Sequence, residues 1–221
     1  MAENINYREE LASIREQLKR VNAPYTGEQL ELLENGMYCC VLLAEENLRE
    51  QRVGENGLLA KEMLEYGKIL EGYDHLLSAV QTGANRMAEA LTDHPRLKVK
   101  LLRLRHLALQ RIEAEQGHDL MITEDVRSEI AQLERNIAAA DKGDYSSIVT
   151  DKMLKSDPVE WTARYEEVID EVEAIVESKL ADHPRGMGFC HAYWHEKAIA
   201  LSKFGIEWHS PAQMKRGVMF D

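Results

Sequence analysis

The stretch PRLKVKLLRLRHLALQRIEAE, Pro95 to Glu115, decides how the chain is read. Its first ten residues alternate apolar and basic side chains, as a half-buried strand would. Leu97, Leu101, Leu104 and Ala108 nevertheless recur at helical spacing, and no partner run or tight turn for a hairpin lies nearby. Pro95 suits the first turn of a helix, with Asp93 or His94 before it as cap. The spacing therefore predicts a helix to about Gly117, and with it an all-α chain.

Working outward, the same three-and-four spacing runs through the rest of the sequence. Leu11, Ile14, Leu18 and Val21 form one stripe, closed by Pro24. Thr26 caps a second helix, from Gly27 to about Arg52, whose inward face carries Leu30, Leu33, Met37, Cys40, Val41 and Ala44. The adjacent Cys39 and Cys40 read as small core residues. GENG, positions 54 to 57, is expected to be a loop, followed by helices from Leu58 to about Leu70 and from Tyr73 to Leu91. Thr123 is expected to cap a sixth helix ending near Ala140. The polar DKGDYSSIVTDK segment then marks a connection.

Beyond it, Asp157, Pro158 and Glu160 give a cap, a first-turn proline and a first-turn acid for a long acidic helix reaching Leu180. A last helix runs from about Met187 to Phe204, with Gly205 at its C-terminal cap, and Ser210-Pro211 opens a short final turn. The expected architecture is an antiparallel bundle of seven or eight helices. Residues 1–141 form its body and 152–221 a C-terminal hairpin with a docked tail, packed together as one domain. LTDHPR at 91–96 is echoed by LADHPR at 180–185, either as a trace of duplication or as a repeated helix-start signal.

Composition narrows the functional classes. With 44% hydrophobic residues in 221, the chain can bury a core without disulfides or metals. A formal charge of −12 disfavours nucleic acid and anionic membranes as general partners. The N-terminus lacks a signal-peptide pattern and no run suits a membrane span, so a cytoplasmic protein is expected. Arg96, Lys98, Lys100, Arg103, Arg105 and Arg111 make the one helix that could meet an anion or a nucleic acid, with Arg96, Lys100, Arg103 and Arg105 as candidate contacts. Pairing with the acidic helix Glu160 to Glu177 explains the same charges. A single ExxH, Glu115 to His118, does not make a di-iron centre, and no nucleotide-loop or serine-hydrolase motif is present.

Chemistry concentrates in CHAYWHEK, Cys190 to Lys197. His191 and His195 are one helical turn apart, so both imidazoles can face one divalent cation such as zinc, with a third ligand from His183, Glu196 or His209. Glu196 follows the second histidine, which excludes the HExxH metalloprotease arrangement. The plainer reading is the polar flank of a packed helix, with no cofactor. Tyr193, Trp194, Lys197, Trp208 and Phe220 are candidates for a recognition or self-association surface. Lys197 falls within the aromatic stripe, where its stem is expected to snorkel outward; the alternative is a ring contact or a carboxylate partner from the preceding helix, and with it functional chemistry.

From Gly188 onward, the matching residues Cys190, His191, Trp194, Lys197, Phe204, Gly205, Ile206, Trp208, Ser210, Pro211, Phe220 and Asp221 resemble the C-terminal signature of an uncharacterised family of small bacterial helical proteins. That family has no established activity. Lys215-Arg216 stands where its pattern has Asn-Pro, and a second basic residue after Lys197 is missing. The expectation is an interaction or regulatory module with a protein partner or self-association, more plausible as a binder than as an enzyme; metal binding and anion binding are the alternatives.

Overall fold

The computed structural model describes residues 6–20, 23–150 and 156–214. Among them the chain is all-α, with nine α-helices joined by short connections and 3-10 turns. The helices are α1 (Tyr7–Leu18), α2 (Gly27–Arg49), α3 (Asn56–Leu70), α4 (Leu77–Ala90), α5 (Pro95–Gln116), α6 (Ile122–Asp141), α7 (Ala163–Lys179), α8 (Phe189–Lys203) and the single-turn α9 (Pro211–Met214). The decisive stretch is helical from Pro95, the first-turn proline, to Gly117, which adopts the left-handed conformation at the cap.

Local chemistry fixes most boundaries. The Asn6 side chain accepts from the backbone of Arg8 and Glu9 at the start of α1, and Thr26 and Gln29 form a reciprocal capping box at α2. Three boundaries depart from expectation. GENG is not a free loop: Val53–Glu55 is a 3-10 turn and Asn56 opens α3. There Asn56 Nδ2 donates to the carbonyls of Ala44 and Ala90 at 3.0 and 3.2 Å, tying α3 to the helices on either side. Thr123 lies inside α6, and its hydroxyl donates to Glu113 Oε1 at 2.5 Å instead of capping. Asp157 and Pro158 start a 3-10 turn, Pro158–Trp161, and Thr162 caps α7 by accepting from the Tyr165 amide at 3.2 Å.

Buried apolar residues form two clusters. The larger is built by α1 to α6, around Met37, Met63, Leu70, Val80, Met87 and Leu101. The smaller joins α7, α8 and the segment after α8, around Tyr165, Ile169, Val172, Leu201, Ile206 and Trp208. At the end of α8, Gly205 takes φ 73°, which turns the chain so that Ile206 and Trp208 pack back on α7. Ser210 then starts α9, its amide accepted by Gln213 Oε1 at 2.8 Å. Phe220 and Asp221 lie outside the described residues.

The two DHPR segments take different structures. His94-Pro95 begins α5, whereas Pro184 lies in a turn and α8 starts at Phe189. The shared residues are therefore not a shared helix start. Among the described residues no helix is long and apolar enough to cross a membrane.

Candidate functional site

The seam between the two cores carries the charge of the molecule's interior. The smaller cluster faces the larger one through α7, α8 and the 3-10 turn Pro158–Trp161, and the turn between α4 and α5 presents Asp93 and His94 to them. Lys197, on α8, points into this seam and is only 1% exposed. Its stem does not snorkel to solvent, because the ammonium is held by Asp93 and lies 3.3 Å from Glu173 Oε1 on α7. Three rings surround it, with centroids 5.7 Å (Tyr165), 5.5 Å (Tyr193) and 5.4 Å (Trp208) from Nζ. A desolvated ammonium is tolerable only with such partners.

The titration behaviour follows from that enclosure. Burial pushes the Lys197 ammonium down, but Asp93, Tyr165, Tyr193 and Glu173 together outweigh it, so its pKa stands well above the ordinary value. Burial raises the Glu173 carboxyl, opposed by Lys197 and by the Tyr193 hydroxyl, which donates to Glu173 Oε1 at 2.5 Å. Glu160, on the 3-10 turn, is pushed up to about 7 by burial and by the nearby Asp93 charge, with Lys197 and Trp208 pulling the other way. Its Oε1 accepts from the Trp208 indole at 2.7 Å. Within this cluster Glu173 Oε2 and the Tyr165 hydroxyl are buried with no hydrogen-bond partner.

A cavity of about 160 Å³ opens onto the cluster, walled by Asp93, Glu160, Tyr193, Trp194, Lys197 and Trp208. A second, of about 80 Å³, is also lined by Glu160, together with His94 and Trp161. Both share Thr92, Ser156 and Glu160 as lining residues. His94 is buried, its Nδ1 has no partner, and burial lowers its pKa to about 4 against the pull of Asp93 and Asp170. The ring is wedged over Gly57, where a Cβ would stand 2.8 Å from His94 Nε2 and 2.5 Å from Asp170 Oδ1. Asp170 also pairs with Lys61, which fastens α7 to α3 beside the site.

The residues expected from the sequence fall in three places. Tyr193, Trp194, Lys197 and Trp208 come together, but as the wall of a cavity: Lys197 and Trp208 are buried and the other two half-buried. The imidazoles do not gather. His191 and His195 are exposed on α8, His191 against the Trp194 ring at 5.4 Å. His183 sits in the turn before α8 against the Phe189 ring, and His209 Nδ1 is 3.0 Å from Asp157 Oδ2. Glu196 is half-buried on α8. Among the described residues no group of three or more His, Cys, Asp or Glu is placed to hold a metal ion.

Among the described residues the ion pairs of the basic helix go mainly to α6, while its Lys100 and Arg96 also lie near enough to Glu166 on the acidic α7 to pull that carboxyl down against its burial. Lys98 reaches Glu129 at 2.9 Å, Arg103 reaches Glu134 at 2.5 Å, and Arg96 pairs with Asp141 while also donating to the Trp161 carbonyl at 3.2 Å. Lys100 is exposed and Arg105 half-buried. Asp93, His94 and Glu160 were not legible as site residues, whereas Glu173 is the carboxylate partner from the preceding helix that the sequence offered as the alternative to a snorkelling Lys197. No protein-family model, curated protein or solved structure matches this chain.

Proposed function

We propose that this protein is a non-enzymatic binding module with a regulatory or interaction role, whose ligand is a small polar molecule held in the seam beside Lys197. The observation that carries this reading is a cavity of about 160 Å³ walled by both indoles of the C-terminal segment, by the buried Lys197 and Glu160 and by the half-buried Asp93. Concave sites that combine aromatic walls with a few convergent polar groups are where small ligands bind. Of the side chains expected at a recognition surface, Lys197 and Trp208 are buried and Tyr193 and Trp194 half-buried at the cavity, which favours a small ligand there over a protein partner docking on these rings. Because the cavity is walled by the α4–α5 turn on one side and by α8 and the segment after it on the other, a ligand there touches both pieces of chain and can couple its occupancy to their packing.

A thermal-shift screen of small polar metabolites against the full chain tests the reading. Compounds that raise the melting temperature should lose most of that effect in Trp194→Ala and Glu160→Gln. Hits that stabilise both variants as strongly as the wild type, or no hit in the wild type, would contradict it.

A further inference from the structure

We propose that the seam cavity selects a small organic cation, a primary or quaternary amine, with its charged head between Glu160 and the indoles of Trp194 and Trp208. This inference rests on the binding role proposed above and names its ligand class. Three carboxyls, Asp93, Glu160 and Glu173, surround one ammonium, Lys197. Lys197 is 1% exposed and already faces Asp93 and Glu173, so its charge is matched inside the protein and is poorly placed to receive an anion. Glu160 is 7% exposed and lines the cavity with no cation paired to it among the ion pairs of the described residues; its one hydrogen bond there comes from a neutral indole.

The cavity wall holds two carboxyls, Asp93 and Glu160, and one ammonium, Lys197, which is already matched by Asp93 and Glu173; the charge left to meet a ligand is the acid of Glu160, beside the faces or edges of aromatic rings, and it suits an ammonium better than an anion. Aromatic walls with a carboxylate at one side are the chemistry that recognises alkylammonium groups in water-poor sites. Size agrees, since a cavity near 150 Å³ accepts a molecule of about six non-hydrogen atoms. The hydroxyls of Thr92 and Ser156, also in the wall, supply polar partners for a hydroxyl or carbonyl on the rest of the ligand.

Isothermal titration of the full chain with choline, ethanolamine, the neutral choline isostere 3,3-dimethylbutan-1-ol, acetate and inorganic phosphate tests the class. Choline or ethanolamine should bind saturably and at least about tenfold more tightly than the neutral isostere. Glu160→Gln, which keeps an acceptor for Trp208, should erase that preference while leaving the isostere unchanged. If Glu160→Gln does not fold by circular dichroism, Trp194→Ala decides, and an amine affinity unchanged there overturns the proposal. Equal binding of amine and isostere, or binding of acetate or phosphate alone, overturns the cation class and leaves a binding site of another class. Absence of binding by all five probes overturns the cation class too, and joined to a metabolite screen without hits it removes the binding role as well.

Discussion

The indole of Trp208 donates to Glu160 Oε1 at 2.7 Å, and both groups are buried where the segment after α8 meets the 3-10 turn ahead of α7. The contact joins two pieces of chain 48 residues apart and holds an acid at the cavity wall. Removing the donor leaves a buried acceptor unsatisfied. Trp208→Phe should therefore cost about 1–3 kcal/mol in urea denaturation, while Glu160→Gln, which retains an acceptor, should cost less at neutral pH.

Glu160 also gives the protein a pH signature. Its folded pKa, pushed up to about 7, exceeds the unfolded value near 4.5, so the folded state binds the extra proton. The stabilisation is complete below about pH 4.5 and is lost as pH rises through 7. His94 has the opposite sign: with a folded pKa near 4 against 6.5, its contribution is present above 6.5 and lost on acidification. The wild-type advantage over Glu160→Gln should accordingly shrink between pH 5 and 8, at no more than about 1.4 kcal/mol per pH unit. A difference independent of pH across that range contradicts the assignment.

Lys197→Met removes the one cation that pairs with Glu173 among the described residues, leaving that buried carboxyl without its counter-charge, and takes one partner from Asp93. Breaking such a pair from one side costs about 3–5 kcal/mol. Asp93→Asn in the same background should restore part of the loss, because it removes one of the negative charges that Lys197 balances. A double-mutant cycle by chemical denaturation measures the coupling, and additive effects would show that the two groups do not interact.

How much of this was open to sequence reasoning depends on the distance over which each signal acts. The helices were legible because apolar spacing and caps are local: Thr26, Pro95 and Gly205 each sit where the residue chemistry puts them. The misplaced boundaries arose where tertiary contacts outweighed local rules. Asn56 opens a helix inside GENG because its amide reaches two other helices, and Thr123 gives its hydroxyl to Glu113 on α5. The candidate site was legible from one side only. Tyr193, Trp194, Lys197 and Trp208 stand close together in sequence, but Asp93 lies 104 residues from Lys197 and its partnership is created by the fold. The exposed imidazoles of α8 carried the loudest motif and ended outside the cavity wall, because a helical period places them beside the aromatic stripe and not in it.

Close packing over Gly57 makes a further prediction. A methyl group there would come within 2.5 Å of Asp170 Oδ1 and 2.7 Å of His94 Cε1, whereas at Gly27 nothing lies within 4 Å. Gly57→Ala should destabilise by about 1–3 kcal/mol through forced displacement of the His94 ring. Gly27→Ala should be close to neutral, and comparable losses at both positions would contradict the packing described.

The three cysteines should differ in reactivity. Cys39 and Cys40 are buried in the larger core, and burial pushes the Cys39 thiol up to about 11 and the Cys40 thiol higher still. Cys190 is half-buried at a groove with Gln51 and Val53. A disulfide reagent should titrate Cys190 first in the native protein and all three only in denaturant; rapid native labelling of Cys40 would contradict the core assignment.

The most direct test of the central claim follows the indole N–H resonances of Trp194 and Trp208 by NMR while choline or the strongest screening hit is added. The account predicts saturable shifts at both indoles, with the backbone of Glu160 and Lys197 following the same curve and the amides of α1 unmoved. Shifts confined to residues remote from the seam, or saturation with both indoles unchanged, would show that the cavity beside Lys197 is not where this protein binds.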